Sequence, residues 1–412
     1  MKKNLDTLKQ EIAGKKLYIW GAMIVGQGVC RACERNGIAV DSFLDSNPAI
    51  QGQTALGYPI LAPEALLGKH ADAVILIASG HYDLDIENIC IAQGLIKNTH
   101  YIMTRELNDI DPSIDISGTC NLHCISCPRG NMSEHETSGM MSQEMYQRVL
   151  GKLLDELPFL GSIQLYTWGE PLLNKNLPAI IAHTRKAHVL TAISSNLNAK
   201  ADYEAVIKAK PDWFKISTSG FGPETYEVTH TGGKWSTFIT NLHTVVELRD
   251  QYHPEMQIVL NYHLYSHNTG EPYQKMEALC VELGLIFRPS PAYLYPLDLV
   301  RDYIDGKPLP PQAEKTLELL MMDLDEGIQR ASLRKELPCP EERCLPIGWD
   351  GAVRFCGVYY KPLIAKSILT TTVAEIMQKR LSSDFCRECK KVGLHQFTGV
   401  YLAEKRIAEG QK

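Results

Sequence analysis

The chain has 412 residues, 44% hydrophobic and 22% charged, with a formal net charge of −6 and 12 cysteines. That length suggests two or three domains with full apolar cores, and the slightly acidic balance excludes the basic footprint of a nucleic-acid binder. No apolar run reaches the ~20 residues of a membrane span, and the polar start, Met-Lys-Lys-Asn-Leu-Asp, lacks the apolar stretch of a signal peptide. A cytoplasmic protein is therefore expected, in a reducing compartment where the thiols serve metal or redox chemistry rather than disulfides.

Residues 1–105 read as a small α/β domain. A short apolar strand over 17–20 runs into Gly21, and a helix through Gly26 and Gly28 continues to Arg35. A second strand over 38–44 ends at Asp45, and the unbroken apolar run over 73–78 reads as a parallel strand. Strand, glycine turn, helix, strand and acid is the order of a nucleotide-binding βαβ unit. The glycine fingerprint is broken, however: Met23 stands where a glycine would let the backbone approach a pyrophosphate. NAD binding stays open, with a Rossmann-like domain for docking or substrate recognition the better fit to Met23. The whole segment, including Phe43-Leu-Asp45-Ser-Asn-Pro48 and Gly57-Tyr-Pro-Ile60, resembles small Rossmann-like domains attached to bacterial sugar- and surface-polysaccharide-modifying enzymes. Cys30 and Cys33 fall inside the first helix with no second pair nearby, so they read as small packing residues.

A polar linker over 105–112 leads to strand–helix alternations between 113 and 295. Strands are expected near 113–117, 162–167, 189–194, 212–218, 256–263 and 285–289. Helices are expected near 142–156, 176–187, 200–209, 235–251 and 270–283. These units predict a partial (β/α)6 barrel of the TIM type, with function at the C-terminal ends of its strands.

Directly after the first of these strands comes Ser117-Gly-Thr-Cys120-Asn-Leu-His-Cys124-Ile-Ser-Cys127-Pro128. Three thiolates on one tight loop can hold three irons of a cubane and leave the fourth iron to a small molecule, whereas a 4Fe–4S cluster ordinarily takes four cysteines. A zinc site short of one ligand is the alternative. The C-x3-C-x2-C spacing resembles the signature of the radical S-adenosylmethionine (radical SAM) superfamily. That resemblance implies a cluster on Cys120, Cys124 and Cys127 whose open iron binds S-adenosylmethionine.

Further along, Trp168-Gly169-Glu170-Pro171 resembles the family's Gly-Gly-Glu-Pro turn, with Trp168 in place of the first glycine. In the family this strand edge receives the cofactor's amino group through backbone carbonyls, so Gly169, Glu170 and Pro171 are implied cofactor contacts. The strand ends carrying Ser195, Asn196 and Ser217 resemble the polar ends that relatives use for ribose and carboxylate. Capping of the helices that follow is the competing reading for each. Asn261, His263 and Asn268 are polar candidates for the same pocket, and Arg288 and Tyr293 are candidate substrate contacts. Family loops often place an aromatic before the third cysteine, against the adenine; here that position is Ser126.

The stretch 296–337 reads as a helical connection, and 338–412 as a cluster-binding domain. It holds Cys339 and Cys344, an apolar strand, Asp350-Gly351, a second strand to Cys356, then Cys386-x-x-Cys389, with a basic amphipathic helix expected at the end. Strand, Asp-Gly turn and strand describe a β-hairpin, and cysteines flanking it can converge with the later pair on one metal. Zinc is again the alternative. Cys339-x11-Gly351-x4-Cys356 resembles the opening of the family's auxiliary-cluster domains, SPASM in full form and twitch in short form, and the absence of cysteines after Cys389 favours the short form. Five cysteines compete for four positions, with Cys339, Cys356, Cys386 and Cys389 preferred by spacing and Cys344 in reserve.

The resemblance implies two 4Fe–4S clusters and S-adenosylmethionine as cofactors. It also implies an electron donor such as flavodoxin or ferredoxin, and hydrogen abstraction by a 5′-deoxyadenosyl radical. Together with the sugar-associated first domain, it leads to the expectation of a carbohydrate, nucleotide-sugar or polyol substrate, oxidised or epimerised with help from one auxiliary cluster. A maturase acting on a ribosomal peptide is the second reading. No membrane or nucleic-acid partner is expected.

Overall fold

In a computed structural model, residues 4–66, 72–79, 82–108, 110–132 and 138–401 are described. The chain forms two compact units: 1–111 with 150–163 and 183–191, and 112–149 with 164–182 and 192–412.

The first unit carries a sheet ordered β3-β4-β2-β1-β5-β6. Its strands are β1 (Lys16–Trp20), β2 (Ser42–Leu44), β3 (Thr54–Ala55), β4 (Tyr58–Leu61), β5 (Ala73–Ile77) and β6 (Tyr101–Met103). All pairings are parallel except the β3–β4 hairpin. β5 is buried at every position, which explains its unbroken apolar run. The expected second strand shortens to 42–44. Its upstream residues leave the ladder at Asp41, whose carboxylate accepts the Leu17 amide at 3.0 Å. The helix Ile24–Arg35 buries Cys30 and Cys33 completely; burial pushes the Cys30 thiol up to about 12. Both are packing residues.

The second sheet runs β12-β11-β10-β9-β8-β7-β13-β14-β15. Sequential strands β7 (Asp111–Ile114), β8 (Ser162–Gln164), β9 (Leu190–Ser195), β10 (Trp213–Thr218), β11 (Gln257–Leu264) and β12 (Ile286–Pro291) form its parallel part. Helices Gln143–Glu156, Leu177–Lys186, Tyr203–Lys208, Trp235–Tyr252 and Glu271–Glu282 alternate with them. This is the partial barrel that the sequence leads one to expect. The mid-chain connection forms three helices, Leu297–Ile304, Pro311–Leu319 and Leu324–Ser332. Beyond it the hairpin is β13 (Cys344–Ile347) with β14 (Val353–Arg354), extended by β15 (Leu363–Ala365) into an antiparallel meander. The expected terminal basic helix falls largely on 402–412, outside the described residues. No helix among the described residues is long and apolar enough to cross a membrane.

Candidate functional site

The cysteine loop leaves β7 and is closed by local bonds. The Cys127 amide donates to the Cys124 carbonyl at 3.1 Å, and Cys127 then caps a short helix, Pro128–Asn131, with proline in its first turn. Gly130 is obligatory there, since a Cβ would lie 2.2 Å from the Cys124 carbonyl oxygen. The loop is stapled to the 229–231 segment by His123 N–H to Thr231 O (2.9 Å) and Ile125 N–H to Thr229 O (3.2 Å). Leu122 and Ile125 are buried beneath it. Burial, then the neighbouring thiols of Cys127 and Cys120, raises the Cys124 thiol well above its ordinary range. Burial pushes Cys120 up to about 12 and Cys127 to about 11, with the Arg129 charge opposing both. Cys120 Sγ accepts from the Leu122 amide at 3.4 Å and from Asn196 Nδ2 at 3.6 Å. Three mutually interacting half-buried thiols, N–H donors to sulfur and a glycine cradle fit a cluster held by this loop.

Asp115 joins the loop to the next strand edge, a role the sequence reading missed. Its carboxylate, 7% exposed at the residue level, accepts the amides of Trp168 (3.0 Å) and Gly169 (3.1 Å). Burial raises it, opposed by those two amides. The Glu170 amide donates to Thr119 O at 2.8 Å. A Cβ on Gly169 would sit 1.7 Å from Ser117 O, so only glycine lets the two strand ends approach this closely. Trp168, in the place of the expected first glycine, is 6% exposed. Its ring centroid lies 4.6 Å from that of Tyr295 and 5.7 Å from that of Tyr360. The bulky side chain enters an aromatic core, and the strand edge keeps its place.

Glu170 is 2% exposed and serves as a brace: Oε1 accepts Leu172 N–H at 3.1 Å and Oε2 accepts Asn196 N–H at 3.0 Å. Burial pushes it up to about 7, resisted by the Asn196 and Leu172 amides and by Ser195. Pro171 opens the 3-10 turn that Glu170 caps. Ser195 accepts the Leu197 amide at 2.9 Å in a local turn; the helix that follows, Tyr203–Lys208, is capped by Asp202 instead. Asn196 reaches the cysteine loop, donating to Asn121 Oδ1 at 3.1 Å as well as to Cys120.

Ser217 and Asn261 lie in a different row. They are register partners across β10 and β11, with Arg288 opposite Asn261 on β12. Tyr262 and Phe287 pack on Tyr273 of the helix Glu271–Glu282, at 5.8 and 5.1 Å. By alternation, Asn261, His263, Arg288 and Ser290 take the sheet face turned away from that helix. Ser217 and Lys215 share that face through their register with β11, and Ser194 through its register with Lys215. The row is internally bonded: Asn261 Nδ2 meets His263 Nε2 at 3.2 Å, and Ser290 Oγ donates to Asn261 Oδ1 at 3.3 Å. Lys215 Nζ stands 5.0 Å from the Tyr166 ring centroid. Burial and then the Lys215 charge lower His263 to about 4, so it is neutral at pH 7. Asn268 is wholly buried and structural, bonding Ser219 O, His263 O and the Tyr265 amide. Tyr293 packs on Tyr295, Phe397 and Tyr401.

An aromatic does reach the position before the third cysteine. Buried Tyr265, just past β11, donates its hydroxyl to Ser126 Oγ at 2.7 Å. No local sequence signal links residues that are 139 apart in the chain.

The later cysteines meet at a cavity lined by Cys339, Cys356, Cys386 and Cys389, with Tyr359, Arg380 and His395 also on its wall. The Tyr359 hydroxyl donates to Cys389 Sγ at 3.8 Å. Cys344 lies beside this group: its Sγ accepts the Gly357 amide at 3.1 Å, and the Glu341 carboxylate is adjacent. Four cysteines on one cavity wall fit a tetrathiolate cluster. Among the described residues no three His, Cys, Asp or Glu side chains converge on a single-ion position; in a cubane each thiolate binds a different iron.

No family model matches the chain. A curated relative, the S-adenosyl-L-methionine-dependent 2-deoxy-scyllo-inosamine dehydrogenase of Niallia circulans, is 32% identical over 71 residues, 17% of this chain. The match spans 28% of that protein's length. Among solved structures, BtrN in complex with AdoMet and 2-DOIA aligns with 72% of this chain and 92% of its own at 15% identity, TM-score 0.38. Native anSMEcpe with bound AdoMet aligns over 68% and 82% at 16% identity, TM-score 0.44. SuiB of Streptococcus suis aligns over 75% and 78% at 13% identity, TM-score 0.44. The likeness to the curated relative is confined to that 71-residue segment, and the chain spans less than a third of that protein's length.

Proposed function

We propose that the chain is an enzyme that uses S-adenosylmethionine to abstract hydrogen from a carbohydrate, nucleotide-sugar or polyol substrate, giving oxidation or epimerisation. The observation that carries the radical chemistry is the bracing of the cysteine loop: Asp115, Glu170 and Asn196 tie it to the next two strand ends. When bound, a cubane on Cys120, Cys124 and Cys127 supplies reductive cleavage of S-adenosylmethionine, and a second on Cys339, Cys356, Cys386 and Cys389 supplies an electron acceptor. The protein's own part is to hold these ligands rigidly and to position the substrate.

The sugar-type reading draws on the polar row of Ser194, Lys215, Ser217, Asn261, His263 and Arg288. Hydroxyl, amide, neutral imidazole and cationic groups on one sheet face match a polyhydroxylated ligand better than an apolar one. The Rossmann-like fold of the first unit fits the same reading. Anaerobically purified protein under a strong reductant should release 5′-deoxyadenosine from S-adenosylmethionine. Adding a panel of sugars, nucleotide-sugars and cyclitols should accelerate that release for the true substrate class. Acceleration by peptides alone would replace this reading with that of a peptide maturase.

A further inference from the structure

Arg380 lies near the end of the helix Val373–Ser382 and is only 4% exposed. A guanidinium is always protonated and carries five N–H donors. Here Nη1 donates to two backbone carbonyls, Cys344 O at 2.7 Å and Glu342 O at 3.2 Å. Nε and Nη2 are buried with no partner. The nearby Glu342 carboxylate is already bound by Lys390 at 2.5 Å, so it does not neutralise Arg380. Among the described residues no carboxylate pairs with this charge.

A buried unpaired charge is costly, by several kcal/mol in typical proteins, and a buried donor without an acceptor adds to that cost. The side chain stands on the wall of the cavity that Cys339, Cys356, Cys386 and Cys389 share. Something anionic in that cavity would repay both costs. A tetrathiolate 4Fe–4S cluster is a dianion when oxidised and a trianion after one-electron reduction, so a fixed cation beside it favours the reduced form. Hydrogen bonds to cluster sulfurs act in the same direction.

We propose that Arg380 is a positioning residue of the auxiliary site: Nε–H and Nη2–H donate to cluster sulfurs, and the guanidinium raises the cluster's reduction potential. This rests on the proposed occupancy of the cavity by a 4Fe–4S cluster. The role is distinct from ligation, because Arg380 leaves all four thiolates free to bind iron.

The test uses full-length reconstituted protein, titrated anaerobically with dithionite as the one-electron donor and followed by electron paramagnetic resonance. Arg380→Met should retain the auxiliary iron while shifting the reduced-to-oxidised ratio at least tenfold toward oxidised, about 59 mV for a one-electron couple. Arg380→Lys, which keeps the charge and loses the fork, should show a smaller shift. In wild-type protein grown with 15N-guanidino arginine, pulsed resonance on the reduced auxiliary cluster should show a 15N coupling that Arg380→Lys removes. If neither variant loads iron at this site, the wild-type coupling decides: its presence supports the contact and its absence overturns it. Full iron loading with an unchanged potential in Arg380→Met overturns the role of Arg380 alone. A wild-type protein with iron at only the first site overturns the cluster assignment together with it.

Discussion

Buried carboxylates hold the candidate site together, and their charge states are set by burial, opposed by the amides they accept. Glu170, pushed from 4.5 to about 7 by burial, is the clearest case. A carboxyl with a folded pKa above its unfolded one contributes stability that is fully present below 4.5 and is lost as pH rises through 7. The span corresponds to roughly 3 kcal/mol at 1.36 kcal/mol per pH unit. In chemical denaturation of the apoprotein, the stability of the wild type relative to Glu170→Gln should therefore fall from pH 4.5 to pH 8, a difference from which the opposing rise due to the depressed His263 cancels. A difference between wild type and Glu170→Gln that does not fall across this interval would contradict the burial argument. Among the thiols, replacing Cys120, Cys124 and Cys127 together by Ala should lower bound iron from about eight to about four per chain if both sites hold cubanes. It should also abolish 5′-deoxyadenosine formation. Stoichiometric zinc with no thiolate-to-iron absorbance would remove the basis for both cubanes.

Two glycines and one hairpin do most of the positioning at the scale of elements. Gly169 lets the end of β8 touch the end of β7, and Gly130 lets the helix Pro128–Asn131 turn back over the cysteine loop. Gly169→Ala forces a Cβ to within 1.7 Å of Ser117 O. It should cost cofactor cleavage at least tenfold while leaving the auxiliary iron bound. Unaltered cleavage would show that the strand edge has slack the structure does not display. The hairpin β13–β14 and the helix Asp384–Lys391 bring the later cysteines together. Cys386→Ala or Cys389→Ala should spare substrate-free cleavage of S-adenosylmethionine and impair turnover of the true substrate. Loss of all cleavage in folded variants would end this division of labour.

Across the whole molecule, the Rossmann-like sheet of the first unit is present but its nucleotide loop is already occupied. The Asp45 carboxylate, which the βαβ pattern would assign to a ribose, instead accepts the Ala22 amide at 2.9 Å and the Asn47 amide at 2.9 Å. Met23, 42% exposed, begins the helix where a pyrophosphate would need to approach. Calorimetry on the full chain should show no NAD binding at ordinary dinucleotide affinities, and Met23→Gly tests side-chain crowding as the cause. Tight binding by the unmodified chain would bring a nicotinamide-dependent step into the mechanism. The sequence by itself determined what depends on neighbours along the chain. The spacing of Cys120, Cys124 and Cys127, the strand–helix alternation and the turn at Gly351 are local patterns; the alternation formed in the expected order, with the strand expected at 113–117 shifted to Asp111–Ile114 and that at 162–167 shortened to Ser162–Gln164. Only the tertiary structure decided that Asp115 braces the Gly169 turn, that Trp168 joins an aromatic core, that Tyr265 reaches Ser126, and that Arg380 faces four cysteines. The hydrogen bonds among them span 53 positions from Asp115 to Trp168 and 139 from Ser126 to Tyr265. Strand register and helix packing choose them, and neither leaves a mark in the residues on either side.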